Sequence, residues 1–229
     1  LKVYVGSDDE IFGNYDSSYL FNCIGNSEKC TSSETISGIG LLNVGSVVDM
    51  SRMFRFTGSN AMTKLDLGEK FNTGNVTSMT GMFAGTGLNK MTTLNLGSMF
   101  NTSKVNGMAY MFIKTGREAM TQLDLGDKFD TSNVIVMQNM FEDTGYTAMT
   151  TLNLGSNFDT SNVIDMSGMF KNCGYTKLTG INLGSLFNTS KVTNMSNMFD
   201  NFGRTLITEL DLGDKFDTSN VTNMSKMFF

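Results

Sequence analysis

Apolar and polar positions follow one frame through most of this chain. In the stretch Leu123 to Phe141, Leu123 and Leu125 alternate with the polar Gln122 and Asp124. A glycine and a polar run come next, and then Val134, Met137, Met140 and Phe141 fall at i, i+3, i+6 and i+7. The same pattern opens at Leu65, Leu94, Leu123, Leu152, Ile181 and Leu210, each 29 residues after the last. A fixed period of this length marks stacked coils, because one unit cannot bury its apolar face alone.

Each period predicts three parts. Met120 to Gly126 has the period-2 alternation of a half-buried strand. Its equivalents would stack as a parallel sheet, about 4.8 Å per coil. Asp130, Thr131 and Ser132 are helix N-cap residues, and the spacing from Val134 to Phe141 predicts one face of a short helix. At about nine or ten residues that helix would depend on packing against the sheet. A return loop follows, with Gly145 as its C-terminal cap. Thr150 and its equivalents are predicted to be buried and to bond along the ladder.

Residue usage sharpens this picture. Of 19 methionines, 18 lie on the three columns of Met120, Met137 and Met140, and 13 of 18 phenylalanines lie on those of Phe129 and Phe141. A methionine stripe can be an adaptable binding surface, but helical spacing and register assign these to the core. Proline is absent, where average usage of about 5% would give about eleven. A regular ladder disfavours proline because it lacks an N–H.

Residues 1–35 depart from the period and read as a degenerate capping coil before a solenoid over 36–229 of about seven coils, the last truncated. Within them Ser17 to Cys23 resembles Ser167 to Cys173. The chain starts without methionine and is read as a mature or excised segment.

Charge and chemistry then narrow the function. Net charge is −5, with 22 acidic and 17 basic residues, which argues against a nucleic-acid partner. No apolar run approaches 18 residues, so this segment holds no membrane-spanning helix. Histidine is absent, which removes the commonest general base and metal ligand. Neither a nucleophile–base pair nor a phosphate-binding glycine loop is present. The expectation is a non-enzyme without a cofactor. Stacked Asp and Asn could offer oxygen ligands to calcium, but no calcium-loop motif occurs. Cys23 and Cys30 are either a disulfide of an extracellular protein or two free thiols. Cys173 occupies a column of threonines and reads as a small tolerated residue.

The string from Leu210 to Phe228, with its Asp-Thr-Ser-Asn-Val run and Met-Phe end, resembles the BspA-like leucine-rich-repeat surface proteins of bacteria. This chain's repeat is a few residues longer, and the cysteine common after Met-Phe occurs only as Cys173. The resemblance covers roughly residues 36–229. It implies an α/β repeat, a right-handed leucine-rich-repeat-type solenoid with one short parallel strand and one short helix per coil. It also implies an extracellular, cell-surface location and adhesion to a protein of another cell or of the matrix.

If the strand leucines point inward, two polar columns point outward as a candidate binding face. One is Asp66, Asn95, Asp124, Asn153, Asn182 and Asp211. The other is Lys64, Thr93, Gln122, Thr151 and Glu209, with Gly180 in place. The bland reading is a solvated face. Coils with Leu-Asp-Leu continue with an acid and lysine, whereas those with Asn continue with serine. That alternation keeps like charges from stacking and needs no ligand. Two further roles are self-assembly by end-to-end stacking of coils, and a spacer that displays another domain.

Overall fold

The computed structural model describes residues 11–25 and 35–229. The strands are β1 (Ile11–Phe12), β2 (Leu42–Asn43), β3 (Lys64–Asp66), β4 (Thr93–Asn95), β5 (Gln122–Asp124) and β6 (Thr151–Asn153). They pair in parallel as β1–β2, β3–β4 and β5–β6. Leu65 lies opposite Leu94, and Leu123 opposite Leu152, so the strand leucines share one inward row and are buried. On the far side of the coil a second ladder of single parallel bridges runs from Asp16 through Asp49, Ser78, Gly107, Val136, Asp165 and Asn194 to Asn223. The core lies between the two ladders.

The predicted helix does not form. Among the described residues the only helical segment is a 3-10 turn, Ile39–Leu41. Over 137–144 the backbone N–H groups point alternately out of and into their own coil. Those of Met137, Asn139, Phe141 and Asp143 donate to Asp165, Ser167, Met169 and Lys171 of the next coil at 2.8 to 3.0 Å. Those of Met140, Glu142 and Thr144 close tight turns on Met137, Asn139 and Phe141. Successive turns repeat the i, i+3 spacing that reads as a helical face in the sequence. The physical reason is width. A helix with side chains is about 10–12 Å across, whereas hydrogen-bonded neighbours sit about 4.8 Å apart. A ladder on both sides leaves no room for a helix per coil.

The nominated cap residues are used differently too. Asp130 Oδ1 accepts from Ser132 N at 2.9 Å, an Asx turn rather than a helix cap. Gly145 does adopt a left-handed φ of 52°, and a Cβ there would lie 2.5 Å from Met149 Cβ, so no larger residue fits.

Both ladders stack their side chains. Phe54, Phe83, Phe112, Phe141, Phe170, Phe199 and Phe228 form a column with ring centroids 5.4 to 5.6 Å apart and planes within 9°. The methionines of the Met137 and Met140 columns are buried beside it, except Met224 in the last coil. Two columns of threonines, buried except for Thr218 in the last coil, staple the coils. Thr131 Oγ1 donates to Asp159 O of the next coil at 2.7 Å, and Thr144 Oγ1 donates to Phe112 O of the preceding one at 2.6 Å. The Thr150 column is exposed, contrary to the expectation, although Thr150 Oγ1 does reach Thr121 O at 3.2 Å.

The segment before the period joins the stack in a different register from the sequence match. Phe21, not Leu20, stacks on Phe54, with centroids 5.2 Å apart. Cys23 accordingly takes the place of Phe56, since its N–H donates to Arg55 O, and it aligns with Asn172 rather than Cys173. Cys30 lies outside the described residues, and the Cys23–Cys30 pairing with it.

Candidate functional site

The two outward columns are where the sequence places them, on the strand face. Five of the six Asp/Asn side chains are exposed and Asp66 is half-buried; Lys64, Thr93, Gln122, Thr151 and Glu209 are exposed. The Asp/Asn column is also engaged with itself. Each member closes a turn on the glycine two residues later: Asp66, Asn95, Asp124, Asn153, Asn182 and Asp211 accept from Gly68, Gly97, Gly126, Gly155, Gly184 and Gly213 at 2.9 to 3.1 Å. Across coils, Asn95 Nδ2 donates to Asp66 Oδ1 and Asn153 Nδ2 to Asp124 Oδ1, both at 3.0 Å. An amide both accepts and donates, so Asn above Asp bonds where Asp above Asp would repel. Lys64 pairs with Asp66 at 2.8 Å, and this hydrogen bond is the main reason that the Asp66 carboxyl titrates below its ordinary value.

The other alternations have the same origin. Ser98 Oγ donates to Glu69, and Ser156 Oγ to Asp127 at 3.4 Å. Lys104 and Lys191 reach Asn75 and Asn162 at 2.7 Å, where asparagines elsewhere bond a backbone carbonyl of the preceding coil, as Asn133 does to Ser103 O. The covariation legible in the sequence is thus a hydrogen-bonded shell around the stack.

Sequence reasoning missed the opposite face, because it had been assigned to a helix. There the backbone is fixed by the second ladder while the outward side chains change from coil to coil. The position of Arg52 becomes Gly81, Tyr110, Asn139, Gly168, Asn197 and Lys226. That of Arg55 becomes Ala84, Ile113, Glu142, Lys171, Asp200 and Phe229. That of Phe56 becomes Gly85, Lys114, Asp143, Asn172 and Asn201. The first and third of these columns hold a left-handed backbone, with φ of 53 to 66° from Arg52 to Asn201. Glycine takes this conformation freely and Asn or Asp with little penalty, whereas other residues lose about 1 kcal/mol or more. The later coils use Asn, Asp and Gly, except for Lys226 at φ 54° in the last one. Arg52, Phe56, Tyr110 and Lys114 sit there at a cost to stability. The signal available in the sequence was this internal contrast, invariant core columns beside three freely varying ones.

These four residues, with Arg55 and Ile113, surround a cleft of about 260 Å³ over Gly81, Ala84 and Gly85. Arg52 donates to Tyr19 Oη at 2.6 Å, and the Arg55 guanidinium lies 4.5 Å from the Phe56 ring centre. Further along the return loop Arg117 lies 4.3 Å from the Tyr146 ring centre, and Tyr146 stacks on Tyr175 at 4.7 Å. No group of three or more His, Cys, Asp or Glu side chains placed to hold a metal ion occurs among the described residues. Cys173 is fully buried, and desolvation pushes its thiol far above the ordinary range, so it is no nucleophile.

Two ladders of stacked 29-residue coils, a shared apolar core and a hydrogen-bonded shell define the class: a repeat protein. The chain belongs to the family described as Mycoplasma protein of unknown function, DUF285, whose model matches residues 22–146, 49–179 and 145–229. No curated protein and no solved structure matches the chain.

Proposed function

We propose that this chain is a non-enzymatic protein-interaction module, a right-handed solenoid at the cell surface that adheres to a protein of another cell or of the matrix through the variable face of its second ladder. The observation that carries this reading is the contrast between the two faces. On the strand face every outward Asp/Asn group closes a turn on its own glycine, and Asn95–Asp66 and Asn153–Asp124 also bond across coils. On the opposite face the columns of Arg52, Arg55 and Phe56 vary freely over a backbone that hardly changes. A rigid frame with interchangeable outward side chains is how repeat arrays present extended binding surfaces. The likeness to BspA-like surface proteins supports the location and the adhesive role. Net charge of −5 supports a protein partner over a polyanion.

The test is attachment of beads coated with the purified chain to cultured cells. Beads carrying the chain should attach. The triple variant Asn139→Ala, Glu142→Ala, Asp143→Ala on the second-ladder face should reduce attachment, while Gln122→Ala with Thr151→Ala on the strand face should not. Attachment that depends on the strand-face pair alone would return the binding site to the columns nominated from sequence. No attachment by any form would refute the adhesive role.

A further inference from the structure

We infer that the cleft over Gly81, Ala84 and Gly85 takes an acidic extended segment of a partner protein, seating one apolar side chain between Phe56 and Tyr110 and pairing carboxylates with Arg52, Arg55 and Lys114. This rests on the reading of the second-ladder face as an interaction surface.

The shape comes first. Where the neighbouring coils carry Arg, Arg and Phe on one side and Tyr, Ile and Lys on the other, the coil between them carries Gly, Ala and Gly. One coil is thus cut back to its backbone. Phe56 and Arg52 lean over part of that volume, the Phe56 ring 2.3 Å from where a Cβ at Gly85 would stand and Arg52 Cγ 3.3 Å from one at Gly81, and the space left between them and Tyr110 and Lys114 is the cleft. The cleft of about 260 Å³ equals the space of eight or nine waters at roughly 30 Å³ each. That suits one large side chain with its adjoining backbone, not a folded element.

Charge complementarity names the occupant. The chain is acidic overall, yet Arg52, Arg55 and Lys114 line one cleft. Among the described residues none of the three has a carboxylate within ion-pairing distance. Arg52 is turned to the Tyr19 hydroxyl and Arg55 to the Phe56 ring. On this ladder Asp49, in the coil of Arg52, accepts from Ser51 N at 2.7 Å, and further acids follow one coil beyond Lys114. Glu142 there is held by Lys171 at 3.5 Å, and Asp143 follows Lys114 in its column. Three cations in a cleft with aromatic and aliphatic walls fit carboxylates flanking an apolar residue. They are too few, on a chain of net −5, to hold a nucleic acid or a membrane surface.

The probe is a fluorescein-labelled peptide with a central phenylalanine flanked on each side by two glutamates and a glycine, titrated with the full 229-residue chain by fluorescence anisotropy. It should bind and weaken with added salt. Replacing its glutamates by glutamine, or its phenylalanine by alanine, should weaken binding by about tenfold or more. The double variant Arg55→Gln, Lys114→Gln should do the same. So should Ala84→Leu, which fills the cleft at a position with ordinary backbone. The charge-matched control Lys90→Gln, Lys177→Gln should bind as the parent does, and melting curves identify any variant that fails to fold.

Absence of binding overturns the inference, as does equal binding of the glutamine peptide or equal loss in the control. Binding to phosphatidylserine vesicles but not to the peptide, lost in the Arg55/Lys114 variant, would assign the cleft to a lipid headgroup instead. Bead attachment that survives the Arg55/Lys114 variant but falls with the Asn139/Glu142/Asp143 variant would overturn this site and leave the adhesive role standing. Peptide binding without any bead attachment would do the reverse.

Discussion

Phe141 is the place to test the stack itself. Its ring is fully buried and lies between Phe112 and Phe170 at 5.5 Å on either side, with Phe158 tilted at 6.4 Å. Phe141→Ala removes about 150 Å² of buried apolar area, or about 4 kcal/mol at roughly 25 cal/mol per Å². Two lost stacks add about 0.5–1.5 kcal/mol each, and the backbone on both sides is fixed by ladders and cannot close the cavity. The expected loss is therefore about 5–7 kcal/mol, above the roughly 3–5 kcal/mol usual for such changes. Phe228→Ala makes the same chemical change at a ring that is 60% exposed and stacked only on Phe199, so its loss should be about 1–2 kcal/mol. Phe141→Leu keeps most of the volume and should cost about 1–2 kcal/mol.

Urea denaturation followed by far-UV circular dichroism reads the totals. Because coils contact only their neighbours, hydrogen exchange by mass spectrometry should show the loss concentrated in peptides from 112 to 170. An effect of Phe141→Ala no larger than that of Phe228→Ala, or one spread evenly over all coils, would refute the stacked-column account.

Tyr110→Asn should stabilise the chain by about 0.5–1 kcal/mol by placing a residue that tolerates left-handed backbone at φ 62°, and should weaken the acidic probe; thermal melts and anisotropy read the two effects, and a destabilised variant would contradict the strain argument. Asn153→Asp should destabilise by a few tenths of a kcal/mol at neutral pH, since two carboxylates would then stack without the amide donor to Asp124. That loss is present above the carboxylate range and disappears as pH falls and one proton binds, so the gap in melting temperature between variant and parent should close near pH 4. In the parent, the lowered pKa of Asp66 has the opposite consequence: its small contribution is present above the ordinary carboxylate pKa and is lost as pH falls through the folded value. Cys173 should resist iodoacetamide at pH 8 in the folded chain and react in urea, and Cys173→Thr should gain about 0.5–1 kcal/mol by restoring the hydroxyl that Thr144 supplies one coil earlier; rapid native alkylation at Cys173 would contradict its burial.

What the sequence determined by itself was everything that repeats. The 29-residue period, the inward leucines, the methionine and phenylalanine columns and the Asp/Asn alternation all express one constraint, that equivalent residues touch their own kind in the next coil. A residue that must fit its own neighbours is written into the string again and again, and so can be read from it. Two things were not readable. An i, i+3, i+6, i+7 spacing is the same whether it comes from a helix or from consecutive tight turns. Only the second ladder decides, because its spacing of about 5 Å excludes a helix about 10 Å wide. The cleft was likewise invisible, since Gly81, Ala84 and Gly85 look like three unremarkable small residues until the coils are stacked. Tertiary structure alone sets them between Arg52, Arg55 and Phe56 on one side and Tyr110 and Lys114 on the other, where an absence of side chains in one coil becomes space enclosed by its neighbours.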